Sequence, residues 1–248
     1  MNWTLIGWIV IALAAILLAV FSWGVRMKTP PPRKTDFIQR YLSSRSTVME
    51  QGKPQQVILG NRLWSRTYPG LGLSGLSALP SLISPETLSN GRQSISSASG
   101  SLAVIARQVV EGRYTGEFSE QLTTPGVETI VPGLTPFSFT AGLLPEINRT
   151  ASGNLLYLGD YGPESVLAVQ KAAGYGAQVF AGAGSITAQA TLFLCVHDLL
   201  LGEEVFMLAP SLRSAPQDRV GLWVEDLIRI GVVALLVIGA ILKMWGVL

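Results

Sequence analysis

From Trp3 to Val25 the chain runs 23 residues without a charged side chain. As a helix rising about 1.5 Å per residue, this run covers about 34 Å, against a hydrocarbon core of about 30 Å. A cleaved signal peptide would open on basic residues and carry an apolar run of only about 7 to 15 residues. Met1 and Asn2 supply no basic side chain, and the run here is longer. Trp3, Trp8 and Trp23 stand toward its ends, where amphipathic rings favour the headgroup region. A transmembrane helix is therefore expected over 3–25.

At the other end, Ile230 to Leu248 is 19 residues interrupted only by Lys243, whose long stem can carry its ammonium to the interface. A second span is expected over 230–248, as the last part of a C-terminal helix occupying 214–248. Ser214 can cap that helix, Pro216 suits its first turn and Asp218 favours the positive end of its dipole. Composition fits this plan, because 14% of the residues are charged, compared with about 25% in ordinary soluble domains.

Arg26, Lys28, Arg33, Lys34 and Arg40 follow the first span, and no basic side chain precedes it. The positive-inside rule then puts the central domain in the cytoplasm and both termini on the opposite side. Arg213, Arg219 and Arg229 agree with that orientation, and Lys243 dissents. With the basic residues accounted for by topology, a net charge of +2 leaves no nucleic-acid footprint. Cys195 is the only cysteine, which excludes an intrachain disulfide and suits a reducing compartment.

A Pro-rich linker is expected over 26–35, in which the run TPPPRK favours a stiff extended spacer. A cytoplasmic α/β domain is expected over 36–213. Asp36–Glu50 reads as a helix with Phe37, Tyr41 and Leu42 on one side, and Val57–Leu59 as a short strand. Leu71–Leu82 can form a helix, although Gly70, Gly72 and Gly75 each weaken it by about 1 kcal/mol relative to Ala. Its small residues suggest tight helix packing.

A rhythm follows. Strands are expected at Arg92–Ser97, Glu128–Val131, Leu155–Leu158, Gln178–Phe180 and Val205–Leu208. Helices are expected between them at Leu102–Glu111, Phe137–Leu144, Pro163–Ala173 and Ala188–His197. Such alternation implies parallel crossovers and a Rossmann-like parallel sheet with helices on both faces. The runs LLYL, QVF and VFML are nearly all apolar, as strands buried on both faces should be.

Ligands of such sheets bind at the carboxyl ends of the strands, where loops and helix N-termini converge. Two strand-to-helix turns are candidates. In Leu158–Glu164, Gly159 and Gly162 permit a tight turn and Pro163 pre-sets the first helical residue; in Ala181–Ser185, Gly182, Gly184 and Ser185 open toward a helix. Their backbone N–H groups could bind a small anionic ligand such as a carboxylate or phosphate. The second turn lacks the third glycine of a dinucleotide fingerprint, and neither has the Lys-Ser/Thr ending of a P-loop, so no cofactor is expected. His197, Asp198, Glu203 and Glu204 are the densest titratable cluster, but H-D-x4-E-E matches no metal-binding spacing. Ser185 or Cys195 could partner His197 in a nucleophilic triad, yet no G-x-S-x-G context exists. No metal site and no catalytic residue are assigned.

The stretch from Gly159 to Leu212 contains a G-x-x-G-P-E turn at Gly159–Glu164 and an L-x-G-E-E segment at Leu200–Glu204, and a membrane helix is expected directly after it. On these motifs the chain resembles a family of bacterial membrane-anchored proteins of unknown function, associated with Chloroflexota and similar lineages. The resemblance covers Asn154 to Leu248 well and the region before Ser101 loosely. It implies a cytoplasmic α/β domain with a terminal anchor, and no activity.

Three functions follow in order of expectation. The first is a noncatalytic membrane-anchored scaffold or accessory subunit that forms a homo-oligomer or joins other membrane subunits. Small residues such as Ala15, Ala19, Gly231 and Gly239 would let its helices approach in the lipid bilayer. The second is a sensory module for a small anionic ligand at the glycine turns. The third is a hydrolase or transferase using His197 and its acidic neighbours.

Overall fold

The computed structural model describes residues 35–60, 70–83, 93–114, 127–212, 226 and 228–233. The chain divides into two compact units, residues 34–212 and residues 1–33 with 213–248. The expected first span, 3–25, lies outside the described residues, as does 234–248 of the expected second span. Residues 228–233 are helical. No helix among the described residues is long and apolar enough to cross a membrane.

Unit 34–212 is an α/β domain. Helix α1 spans Asp36–Glu50 and buries Phe37, Tyr41, Ser44 and Val48, a stripe at helical spacing. Then come β1 (Gln55–Leu59), α2 (Leu71–Leu82), β2 (Gln93–Ser97), α3 (Gly100–Tyr114) and β3 (Val127–Ile130). The second half holds α4 (Pro136–Thr150), β4 (Asn154–Gly159), α5 (Ser165–Gly174), β5 (Gln178–Ala183), α6 (Ile186–Phe193), β6 (Asp198–Leu201) and α7 (Glu204–Leu212). The six strands form one sheet in the order β3-β2-β1-β4-β5-β6, and every pair is parallel. This is the doubly wound order of a Rossmann-type sheet, whose direction of winding reverses between β1 and β4.

Alternation along each strand divides the interior into two cores. Val57, Leu59, Ile95, Leu156, Leu158, Phe180 and Leu200 point to one face, where α1, α2, α3 and α7 cover them. Ile58, Leu155, Tyr157, Ala181 and Ala183 point to the other, under α4, α5 and α6. Phe180 anchors α1, meeting the rings of Phe37 and Tyr41 edge-on at 5.6 and 5.2 Å. Register places amides side by side at the start of four strands, Gln93, Gln55, Asn154 and Gln178. Two of them hold α1, because the Gln55 amide donates to the Tyr41 hydroxyl and Ser44 donates to Asn154.

The glycines of α2 allow a close approach. A Cβ on Gly75 would stand 3.0 Å from the Leu59 side chain, and Ser74 donates to the Val205 carbonyl of α7 at 2.9 Å. Helix α4 opens on a capping box in which Thr135 and Ser138 satisfy each other's backbone N–H groups.

The last strand is displaced from its expected place. Val205–Leu208 belongs to α7, while the strand is Asp198–Leu201, between the helix expected to end at His197 and the strand expected from Val205. Helix α6 ends at Phe193, short of the expected His197. A short apolar run such as VFML fits a buried strand and a buried helix turn equally well. Gly202, at φ +55°, makes the turn between them, and the Leu201 N–H donates to the Glu204 carboxylate at 3.1 Å.

Candidate functional site

The carboxyl ends of β1 and β4 flank the switch point of the sheet, where this topology receives ligands. Here the strand ends touch. A Cβ built on Gly159 would lie 2.3 Å from the Gly60 Cα, and one on Gly60 would lie 2.5 Å from the Asp160 nitrogen. Only two glycines allow backbones to approach this closely. The turn that follows folds back under the crest, and the buried Tyr161 hydroxyl reaches both the Ile58 and Leu158 carbonyls, at 2.8 and 3.0 Å. Its ring rests against Tyr157, with centroids 4.1 Å apart.

Both glycine turns arrive at this crest. The Gly184 N–H donates to the Gly159 carbonyl at 3.3 Å, and the Ser185 hydroxyl donates to the Tyr161 carbonyl at 2.6 Å. Ser185 also caps α6 by accepting from the Ala188 N–H. The structure thus brings Gly159, Gly184 and Ser185 together. It places Gly182 elsewhere, inside β5, where a Cβ would meet Val205 at 2.9 Å and Leu158 at 3.1 Å. Gly182 is small because α7 packs on it.

At Gly162 the backbone N–H is already used, since it donates to the Glu164 carboxylate at 3.0 Å. Glu164 is buried and sits where an anion drawn to this turn would sit. Asp160 lies on the same turn, and among the described residues neither carboxylate has a cationic partner. The crest therefore supplies its own negative charge. Tyr161, Glu164 and Gly60 are the residues that close it; the first two lie within the G-x-x-G-P-E motif, and Gly60 gave no signal until β1 and β4 were neighbours.

The titratable cluster is split. Asp198 opens β6, with His197 just before it, whereas Glu203 and Glu204 follow its far end. Four strand residues at about 3.3 Å each set the two pairs roughly 13 Å apart, at opposite ends of β6. Asp198 instead meets Arg40 of α1, whose Nε stands 2.8 Å from its Oδ1. Cys195 is half-buried and its sulfur accepts from the Gln170 amide at 3.7 Å. No group of three or more His, Cys, Asp or Glu side chains among the described residues is arranged to hold a metal.

Burial raises the pKa of three tyrosines in this domain. Tyr41 is pushed up to about 12 by loss of water, against the Arg45 charge and the Gln55 hydrogen bond. Tyr157 rises through burial and then the Glu164 charge, and Tyr161 through burial and then Tyr157 and Asp160. A raised folded value means the fold holds the neutral phenol, so this contribution is complete below the unfolded value near 10 and is lost as pH rises. Stability should hold to about pH 10 and fall as pH rises through about 12, where Tyr41 titrates. Tyrosinate absorbance should lag behind free tyrosine until the fold opens; ionisation of all tyrosines near pH 10 without unfolding would contradict this.

No curated protein matches the chain. Residues 94–248 match the model of the family described as a domain of unknown function, DUF6754, and as that match takes in more than half of the chain, the chain belongs to this family.

Proposed function

We infer that the protein is a membrane-anchored, noncatalytic scaffold or accessory subunit, bacterial as its resemblance suggests, with its central domain in the cytoplasm. The observation that carries this reading is a strip of uncovered apolar side chains on α6 and just beyond it. Ile186, Phe193 and Leu194 are 75%, 69% and 83% exposed. With Ala190 they fall at i, i+4, i+7 and i+8, one side of a helix whose opposite side, Ala188 and Leu192, is in the core. Large apolar groups gathered on one helix side are a common mark of an association surface.

Two further features support it. Helices α1 and α7, which begin and end unit 34–212, cover the same face of the sheet and touch each other. Both ends of unit 34–212 thus lie on the face of the sheet opposite α6. The crest, for its part, is filled by the chain's own tyrosine and carboxylate.

Native mass measurement and cross-linking, in mild detergent and in membranes, test the reading. The wild type should run as a homo-oligomer or with copurifying membrane subunits, and Phe193→Asp with Leu194→Asp should loosen that assembly without unfolding the domain. A monomer in both settings, free of partners, would sink it.

A further inference from the structure

We propose that a cavity at the amino edge of β5 and β6, remote from the crest, binds a small organic monocarboxylate. Its volume is about 500 Å³, within the range of about 300–1,000 Å³ found for small-molecule sites. Helix α1 forms one wall, the start of β5 the floor, and the segment entering β6 the other wall. All of these elements belong to unit 34–212.

The charge arrangement specifies the ligand. Arg40 is held by its Nε against Asp198, whose side chain is 17% exposed, while that of Arg40 is 59% exposed. An ion pair this open adds little stability, so holding α1 in place is a weak reason for it. Its stronger consequence is orientation. Asp198 Oδ1 stands against the Nε of Arg40, and the Nη groups of this cavity-lining residue have no partner among the described residues. Such groups bind a carboxylate through two parallel hydrogen bonds. His197 lines the same cavity, also without a partner among the described residues, and can donate a third.

Asp198 already balances Arg40, so the cavity accommodates one added negative charge more readily than two, which favours a carboxylate over a phosphate dianion. Val179, Phe180 and Val196 supply apolar surface for a hydrocarbon body. Asp198 is a positioning residue here; Arg40 and His197 touch the ligand. The site stands independently of self-association through α6.

The full-length protein in mild detergent carries two built-in reporters of this cavity, because Cys195 and His197 both line it and each is the only residue of its type. Benzoate and hexanoate are the probes, and inorganic phosphate is the dianionic control. Either carboxylate should slow modification of Cys195 by a neutral maleimide in a saturable way. The His197 imidazole proton resonance should shift over the same concentration range. Arg40→Gln should weaken both effects about tenfold, as loss of a charged bidentate partner does. Arg40→Lys, which keeps the charge next to Asp198, should weaken them less and serves if the first variant misfolds. The proposal is overturned if neither reporter responds up to about 50 mM, where even a millimolar binder saturates. It is also overturned if the response is the same without the Arg40 guanidinium, or if phosphate acts as strongly as the carboxylates.

Discussion

Gly159→Ala is expected to cost the domain about 4 kcal/mol, as a Gly-only backbone conformation and a forced backbone contact add together. Gly159 has φ +143°, and its Cβ would fall 2.3 Å from the Cα and 2.4 Å from the nitrogen of Gly60. Neither atom belongs to a side chain that could rotate away. Relief requires β1 and β4 to separate where they pair in register up to Leu59 and Leu158, with the Tyr161 hydroxyl bridging them. Gly176→Ala supplies the comparison. Gly176 also has a positive φ, +77°, but a Cβ there meets nothing within 4 Å. It should cost only the backbone strain, about 1 to 2 kcal/mol. Urea unfolding of the full-length chain in mild detergent separates the two variants. Equal losses would mean that the crest relaxes freely and that the Gly60–Gly159 contact does not hold the sheet.

What the sequence revealed of this domain depended on how local each signal was. Leu155–Leu158 and Gln178–Phe180 read as strands because four or fewer apolar residues between Gly-rich turns have little room to be anything else, and both are strands. The bounds of Asp36–Glu50 were legible to the residue and Phe37 and Tyr41 are buried, whereas Leu42, expected on the same side, is exposed. The last strand was not legible, because Leu199–Leu201 and Val205–Leu208 are both short apolar runs and only the chain reversal at Gly202 tells them apart. That single misplacement also hid the division of the acidic cluster, for His197 and Glu203 look close until a strand is drawn between them.

The candidate site was half visible. Gly159 and Ser185 were recognised as turn residues, but which turns meet depends on strand order, which no local pattern carries. The amino-edge cavity gave no sign at all: Arg40 and Asp198 are in contact only because α1 packs over the part of the sheet that ends in β6. Gly182 illustrates the opposite failure, a glycine that looks like a ligand turn and is instead the space into which Val205 packs.

A chain beginning at Ser94, where the family match begins, is expected not to fold. The match starts inside β2 and so leaves out α1, β1 and α2. Strand β1 is no edge strand; Val57 pairs with Ile95 of β2 on one side and with Leu156 of β4 on the other. Without it, β2 and β3 part from β4, β5 and β6, and two open edges appear where the centre of the sheet had been. Of the 22 buried side chains in the core beneath α1, α2, α3 and α7, the 11 from Phe37 to Ile83 would be missing. Burying one large aliphatic side chain contributes about 1.5 to 3 kcal/mol, and a whole domain is stable by only about 5 to 15 kcal/mol. The loss therefore exceeds what the remainder can withstand. Circular dichroism and limited proteolysis of the 94–248 chain should show no cooperative transition, and coexpression with residues 36–93 as a separate polypeptide should restore one, because that piece returns β1 to its place between β2 and β4 and the helices α1 and α2 to the face they cover. A cooperative, protease-resistant 94–248 chain would show that β2 can pair directly with β4, making β1 an addition to the family's sheet and not its centre.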